Sequence, residues 1–75
     1  MIHKILHRMA ILKLRKLENV IVSALRDEKI SNAAVCHFKN GFQVFGCKLI
    51  RRHRSSPLAL NRILDSQISY FEKAM

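Results

Sequence analysis

The dipeptide Asn40-Gly41 sets the tightest local limit on how this chain can fold. Asn-Gly is the pair that best tolerates the positive φ angles of a two-residue hairpin turn. Side chains of alternating character precede and follow it, as in two strands that each present one face to a core. The sequence therefore predicts a β-hairpin over residues 33–52, with its turn at Asn40-Gly41.

The two faces of this predicted hairpin differ in chemistry. One face is apolar apart from Gln43, and alternate residues of both strands build it: Ala34, Cys36, Phe38, Phe45, Cys47 and Leu49. The other face is mixed: Val35, His37, Lys39, Phe42, Val44 and Lys48. A mixed aromatic and cationic face can stack nucleobases and hold phosphates, or another element or subunit can cover it. The two cysteines, which belong to the apolar face, are expected to be free, buried thiols.

Apolar residues recur at helical spacing through the first 30 residues. The pattern predicts one long amphipathic helix, or two shorter ones, within 1–30. Its polar stripe begins with His3, Lys4, His7 and Arg8, whose charges oppose the positive end of a helix dipole. These basic residues serve binding, form a solvated face, or border a helix that lies on a membrane surface. His3 and His7 have the i, i+4 spacing of metal ligands but no third ligand, and we expect no metal.

Length and charge limit the possible partners. A chain of 75 residues supports one domain, 1–75, whose core is marginal unless oligomerisation adds to it. Fourteen Lys and Arg against five Asp and Glu give a net charge of +9, which predicts an anionic partner. Arg51, Arg52 and Arg54 form the densest basic cluster, and on charge alone they are candidates for phosphate contacts.

No catalytic or cofactor-binding constellation stands out in the sequence. The five carboxylates are dispersed, and neither a phosphate-cradling Gly loop nor a C-x-x-C pair occurs. We therefore expect a non-catalytic protein with no cofactor, no metal and no small-molecule substrate. Without a secretory leader or an uninterrupted apolar run of about 18 to 20 residues, we also expect a cytoplasmic location and no membrane partner.

The run from Leu25 to Gly46 resembles the first Sm motif of Hfq, a family of bacterial RNA chaperones. In that family a helix ending in Leu-Arg-x-Glu-Lys leads into a strand, an Asn-Gly turn and a second strand closed by Gly. Here Leu25-Arg26-Asp27-Glu28-Lys29 stands at the helix end, and Asn40-Gly41 stands at the turn. The second Sm motif has only a poor counterpart, in residues 71–75.

This resemblance implies an α+β fold, in which the N-terminal amphipathic helix precedes a small, strongly bent antiparallel sheet. It also implies a homo-oligomeric ring, hexameric like its relatives, that binds single-stranded RNA as an RNA chaperone or post-transcriptional regulator. By resemblance, Phe42 and Gln43 would stack on and hydrogen-bond a base, and Arg26 and Lys29 would contact RNA at the rim. The complete predicted RNA-binding set is Arg26, Lys29, Lys39, Phe42, Gln43, Arg51, Arg52 and Arg54.

Residues 57–75 are open to two interpretations. Ser56-Pro57 is a good helix start, and the apolar residues that follow it have helical spacing. The resemblance instead requires strands there. If the segment is helical, the fold is helix, β-hairpin, helix, and the chain is a small basic α+β protein whose amphipathic helices bind a protein partner.

Overall fold

The structure is a computed structural model that describes residues 2–74. These residues form three α-helices: α1 (Ile2–Asp27), α2 (Asn32–Arg52) and α3 (Pro57–Ala74). Residues 28–31 and 53–56 connect them, and residues 2–74 contain no strand. None of the three helices has the length and apolarity that a membrane crossing requires.

The predicted α+β fold is therefore wrong, and so is the resemblance to the Sm-like family Hfq. An Sm fold needs a bent sheet, whereas helix α2 occupies the residues assigned to the hairpin. The alternative fold, helix, β-hairpin, helix, fits only loosely. Its terminal helices coincide with α1 and α3, but helix α2 replaces its central hairpin. A ring built by pairing strand edges has no strand to use within residues 2–74.

Helix α2 forms because its apolar residues also follow helical spacing. Val35, Phe38, Phe42 and Leu49 are buried or half-buried and fall on one side of the helix, three, four and seven residues apart. Ser31 caps the helix, its side-chain oxygen accepting a hydrogen bond from the Ala34 backbone N–H at 3.2 Å. Cap and burial together outweigh the weak helix propensity of the two glycines in the segment.

The aromatic side chains of α2 form a ladder along this helix. The ring of Phe42 lies 5.6 Å from that of Phe38 and 6.0 Å from that of Phe45, measured between centroids. Cys36 and Cys47 of α2 are both free and exposed. The expectation of buried thiols is therefore wrong.

The core lies mainly between α1 and α3, which run parallel to each other. Its fully buried side chains come from these two helices: Ala10, Leu14, Leu17, Leu60, Leu64 and Ile68. Asn61 of α3 adds a polar link, since its side-chain amide donates to the backbone carbonyl of Leu6 at 2.9 Å. Helix α2 packs on this pair with its half-buried face, and a side-chain carbon at Gly46 would lie 3.4 Å from Leu14 Cδ1.

The connection between α1 and α2 is a Schellman motif. The Ile30 N–H donates to the Leu25 carbonyl at 3.0 Å, and the Lys29 N–H donates to the Arg26 carbonyl at 2.9 Å. Lys29 has a φ of 60°, in the left-handed region that ends many helices. The Leu-Arg-x-Glu-Lys run is therefore a helix end, as the sequence indicates, but it leads into another helix.

Candidate nucleic-acid interface

A basic cleft lies where the start of α1, the end of α2 and the start of α3 meet. Its volume is about 440 Å³. The residues that line it come from all three helices and from the α2–α3 connection: His3, Lys4, His7, Arg8, Ile50, Arg51, His53, Arg54, Pro57 and Leu60. We call this site the basic cleft.

The charge of the basic cleft is positive throughout. Four of its lining residues are Lys or Arg, three are His, and none is acidic. The two ion pairs among residues 2–74 lie elsewhere, between α1 and α3: Lys13 Nζ to Asp65 Oδ1 at 3.0 Å, and Lys16 Nζ to Glu72 Oε1 at 3.7 Å. No carboxylate of the described residues therefore neutralises the cleft cations.

The helix ends at the cleft carry opposite dipole charges. The first turns of α1 and α3 contribute lining residues, and neither first turn carries an acidic side chain that would offset the positive end of its dipole. The end of α2 is the negative end of its dipole, which Arg51 and Arg52 in its last turn offset. The side-chain cations and the two helix N-termini together attract phosphate groups. Ile50, Pro57 and Leu60 supply an apolar surface beside the cations, against which a base or ribose can pack.

The basic cleft is not suited to a metal ion. His3 and His7 gain a third histidine here, because His53 lines the same cleft. Even so, no group of three or more His, Cys, Asp or Glu residues within 2–74 has the geometry to hold a metal. The surrounding Lys and Arg side chains would also repel a cation.

The structure brings together two of the three clustered arginines. Arg51, at the end of α2, and Arg54, in the following connection, both line the basic cleft. Arg52 is exposed on α2 but is not part of the lining. A helix separates the directions of adjacent side chains by about 100°, and here Arg51 faces the cleft while Arg52 lies outside its lining.

Phe42 and Gln43 line a different cavity, between α1 and α2, with a volume of about 470 Å³. Phe42 is half-buried and packs against the core, and its ring contacts two other aromatic rings. Gln43 is exposed on the helix surface next to it. Both residues line this cavity from helix α2, away from the basic cleft, rather than from opposite faces of a hairpin.

The remaining predicted residues are dispersed. Arg26 lies in the last turn of α1, and Lys29 lies in the connection that follows it. Along α1, Arg26 is 22 residues from Lys4, a distance of about 33 Å at the rise of an α-helix. Lys39 is half-buried near the middle of α2. None of these three residues belongs to the basic cleft.

The basic cleft contains eight residues that were not in the predicted RNA-binding set, and five of them are Lys, Arg or His: His3, Lys4, His7, Arg8 and His53. The sequence does carry a signal for the first four, because basic side chains at the start of a helix oppose its dipole. It gives no sign that this stripe meets the arginine cluster, which begins more than 40 residues later. Only the packing of α1 against α3 brings the two together.

Comparisons of this chain with protein-family models, with curated proteins and with solved structures found no match in any of the three. The functional argument therefore depends on the residues and geometry of the chain itself.

Proposed function

We propose that this chain is a non-catalytic RNA-binding protein that holds single-stranded RNA by its phosphates in the basic cleft. One observation carries the proposal: the fold joins the two most basic segments of the chain in one cleft without an acidic lining residue. Neither segment neutralises the other, so their fields add. Each phosphate of an anionic polymer that enters such a site adds to the binding affinity.

Two features favour RNA over a small anion. The net charge of +9 extends beyond the cleft, so a polymer can contact further cations after its first phosphate binds. The apolar cleft residues give bases and riboses a surface to contact, and unpaired strands leave their bases free for such contacts. The two exposed free cysteines are compatible with the reducing cytoplasm, where we place the protein.

The experiment is a salt titration of binding to a fluorescently labelled single-stranded RNA, followed by anisotropy. The cleft variant replaces Lys4, Arg8, Arg51 and Arg54 by Gln. Because each phosphate contact on a single strand contributes about 0.7 to the slope of log K against log salt, removing up to four contacts should flatten the slope by up to about 2.8. Affinity at low salt should fall with it.

The matched control removes the same charge from outside the cleft. It replaces by Gln the four predicted RNA-binding cations that do not line it: Arg26, Lys29, Lys39 and Arg52. This variant should keep most of the wild-type slope. Equal loss in both variants would mean that net charge alone governs binding, and a larger loss in the control would move the interface away from the cleft. Either result would overturn the proposal.

A further inference from the structure

Helix α1 carries a second surface that the fold leaves uncovered. We call it the apolar stripe, and it consists of four large side chains on the first half of α1: Ile2, Ile5, Met9 and Leu12. They are 70%, 60%, 40% and 63% exposed, respectively. At 100° per residue they fall within an arc of about 80°, and they extend about 15 Å along the helix. The core-facing residues Ala10, Leu14 and Leu17 lie on another side of α1.

Basic residues border the apolar stripe. The first acidic residue of the chain is Glu18, so every charged side chain beside the stripe on this half of α1 is a cation. Lys4, Arg8 and Arg15 occupy the neighbouring sector of the helix surface, about 40° to 80° from the edge of the stripe. They make no ion pair within residues 2–74, whereas Lys13 and Lys16 are paired with α3.

We propose that the apolar stripe docks α1 onto an anionic lipid surface, with the helix axis parallel to the membrane plane. A helix binds a bilayer interface when its apolar side chains enter the acyl boundary and adjacent Lys and Arg contact anionic headgroups. The stripe and its row of cations supply both contacts from one helix. The site differs from the RNA site in needing exposed apolar side chains, although Lys4 and Arg8 can serve both.

Charge complementarity selects this occupant. A second copy of the chain, paired stripe to stripe, would bring two cationic rows together, and each copy carries a net charge of +9. Single-stranded RNA is favoured by aromatic rings that stack on its bases, and the stripe has none. An anionic lipid surface satisfies both halves of the site, because it offers negative headgroups above an apolar layer.

The test is sedimentation with vesicles of phosphatidylcholine alone or of an equimolar mixture with phosphatidylglycerol. The full chain should bind the mixed vesicles and bind the neutral ones far less. Replacing Ile5 and Leu12 by Gln should lower the partition coefficient on mixed vesicles by about tenfold or more, since both side chains lose their apolar insertion. The control variant replaces two side chains outside the stripe by Gln: Val44 of α2, 56% exposed, and Tyr70 of α3, 66% exposed. It should bind like wild type.

A fluorescence measurement keeps the test independent of any effect of Gln on folding. The chain has no Trp, so Leu12→Trp introduces a single reporter. Its emission should shift to shorter wavelength on mixed vesicles, whereas that of Val44→Trp should not. RNA binding of the Ile5/Leu12 variant should remain at the wild-type level, which separates this proposal from the proposed function.

Three results would overturn the proposal. They are wild-type partitioning by the Ile5/Leu12 variant, equal binding to neutral and mixed vesicles, and failure of the full chain to bind mixed vesicles. In the last case, a dimer that the Ile5 and Leu12 substitutions dissociate would assign the stripe to a second copy of the chain.

Discussion

Asn61 is the polar side chain that the described core buries most completely, with 3% of its surface exposed. Its amide nitrogen donates to two backbone carbonyls, that of Leu6 in α1 at 2.9 Å and that of Pro57 in its own helix at 2.8 Å. Its side-chain oxygen is buried and has no hydrogen-bond partner within residues 2–74. The residue therefore aligns α3 with α1 while leaving one acceptor unsatisfied.

Asn61→Asp should test this arrangement. It replaces a donor by a carboxyl group that faces two carbonyl oxygens in the core, so burial would raise the pKa of the new carboxyl. The ionised form is then disfavoured in the folded state, and the loss of stability should grow as the pH rises. We expect a loss of about 3 kcal/mol or more at neutral pH and a smaller loss in acid, measured by urea unfolding.

Asn61→Leu is the control, because it keeps the volume and removes the unsatisfied oxygen together with the donor. It should change the free energy of unfolding by about 1 kcal/mol or less. If the Asp variant were as stable as the Leu variant at neutral pH, the buried hydrogen bonds described here would be wrong.

At the level of the helices, Gly41 distinguishes α2 from a hairpin most directly. It lies inside the helix without a positive φ, and a side-chain carbon there would meet no atom within 4 Å. Gly41→Ala should therefore raise the free energy of unfolding by about 0.5 to 1 kcal/mol, because Ala has the higher helix propensity. In a tight turn with positive φ the same substitution would destabilise the chain. Thermal unfolding followed by circular dichroism measures the difference, and a lower melting temperature would contradict the helix.

Local patterns located α1 and favoured a helix from Pro57, and both segments are helical. The prediction for residues 33–52 was wrong because their apolar residues fit both the helical period and the alternation of a strand. Phe38, Phe42 and Phe45 fit a helical stripe with spacings of four and three, yet parts of the segment also alternate. Asn40-Gly41 favoured the strand interpretation, although neither residue prevents a helix when a capped segment buries its apolar side.

For the candidate site, the sequence indicated which residues are charged but not which of them meet. Arg51 and Arg54 are three residues apart and line the same cleft, while Lys4 and Arg8 reach that cleft only through tertiary packing. Contacts of this range cannot be derived from spacing within a helix, because they depend on which helices pair. The resemblance also transferred roles to Phe42 and Lys29 from a fold that the chain does not adopt.

For the molecule as a whole, three of the four histidines line the basic cleft, and the fourth, His37, is exposed elsewhere on α2. Imidazole rings can stack on bases and hydrogen-bond phosphates at such a site. Replacing His3, His7 and His53 together by Ala should therefore weaken the binding of single-stranded RNA severalfold. Anisotropy titrations at fixed ionic strength and pH measure the change.

The control variant is His37→Ala, which should bind RNA like the wild type. Wild-type affinity in the triple variant, or an equal loss in the control, would exclude the cleft histidines from the RNA contact.

The parallel pairing of α1 with α3 has a consequence during synthesis of the chain. The contacts that join them connect residues 52 to 56 positions apart, such as Lys13 with Asp65, Leu6 with Asn61 and Lys16 with Glu72. Such distant contacts carry the entropic cost of closing a long loop. While the ribosome is still adding α3, the core-facing residues of α1 lack their partners on that helix. The core therefore assembles only after the segment from Leu60 to Ile68 has left the exit tunnel.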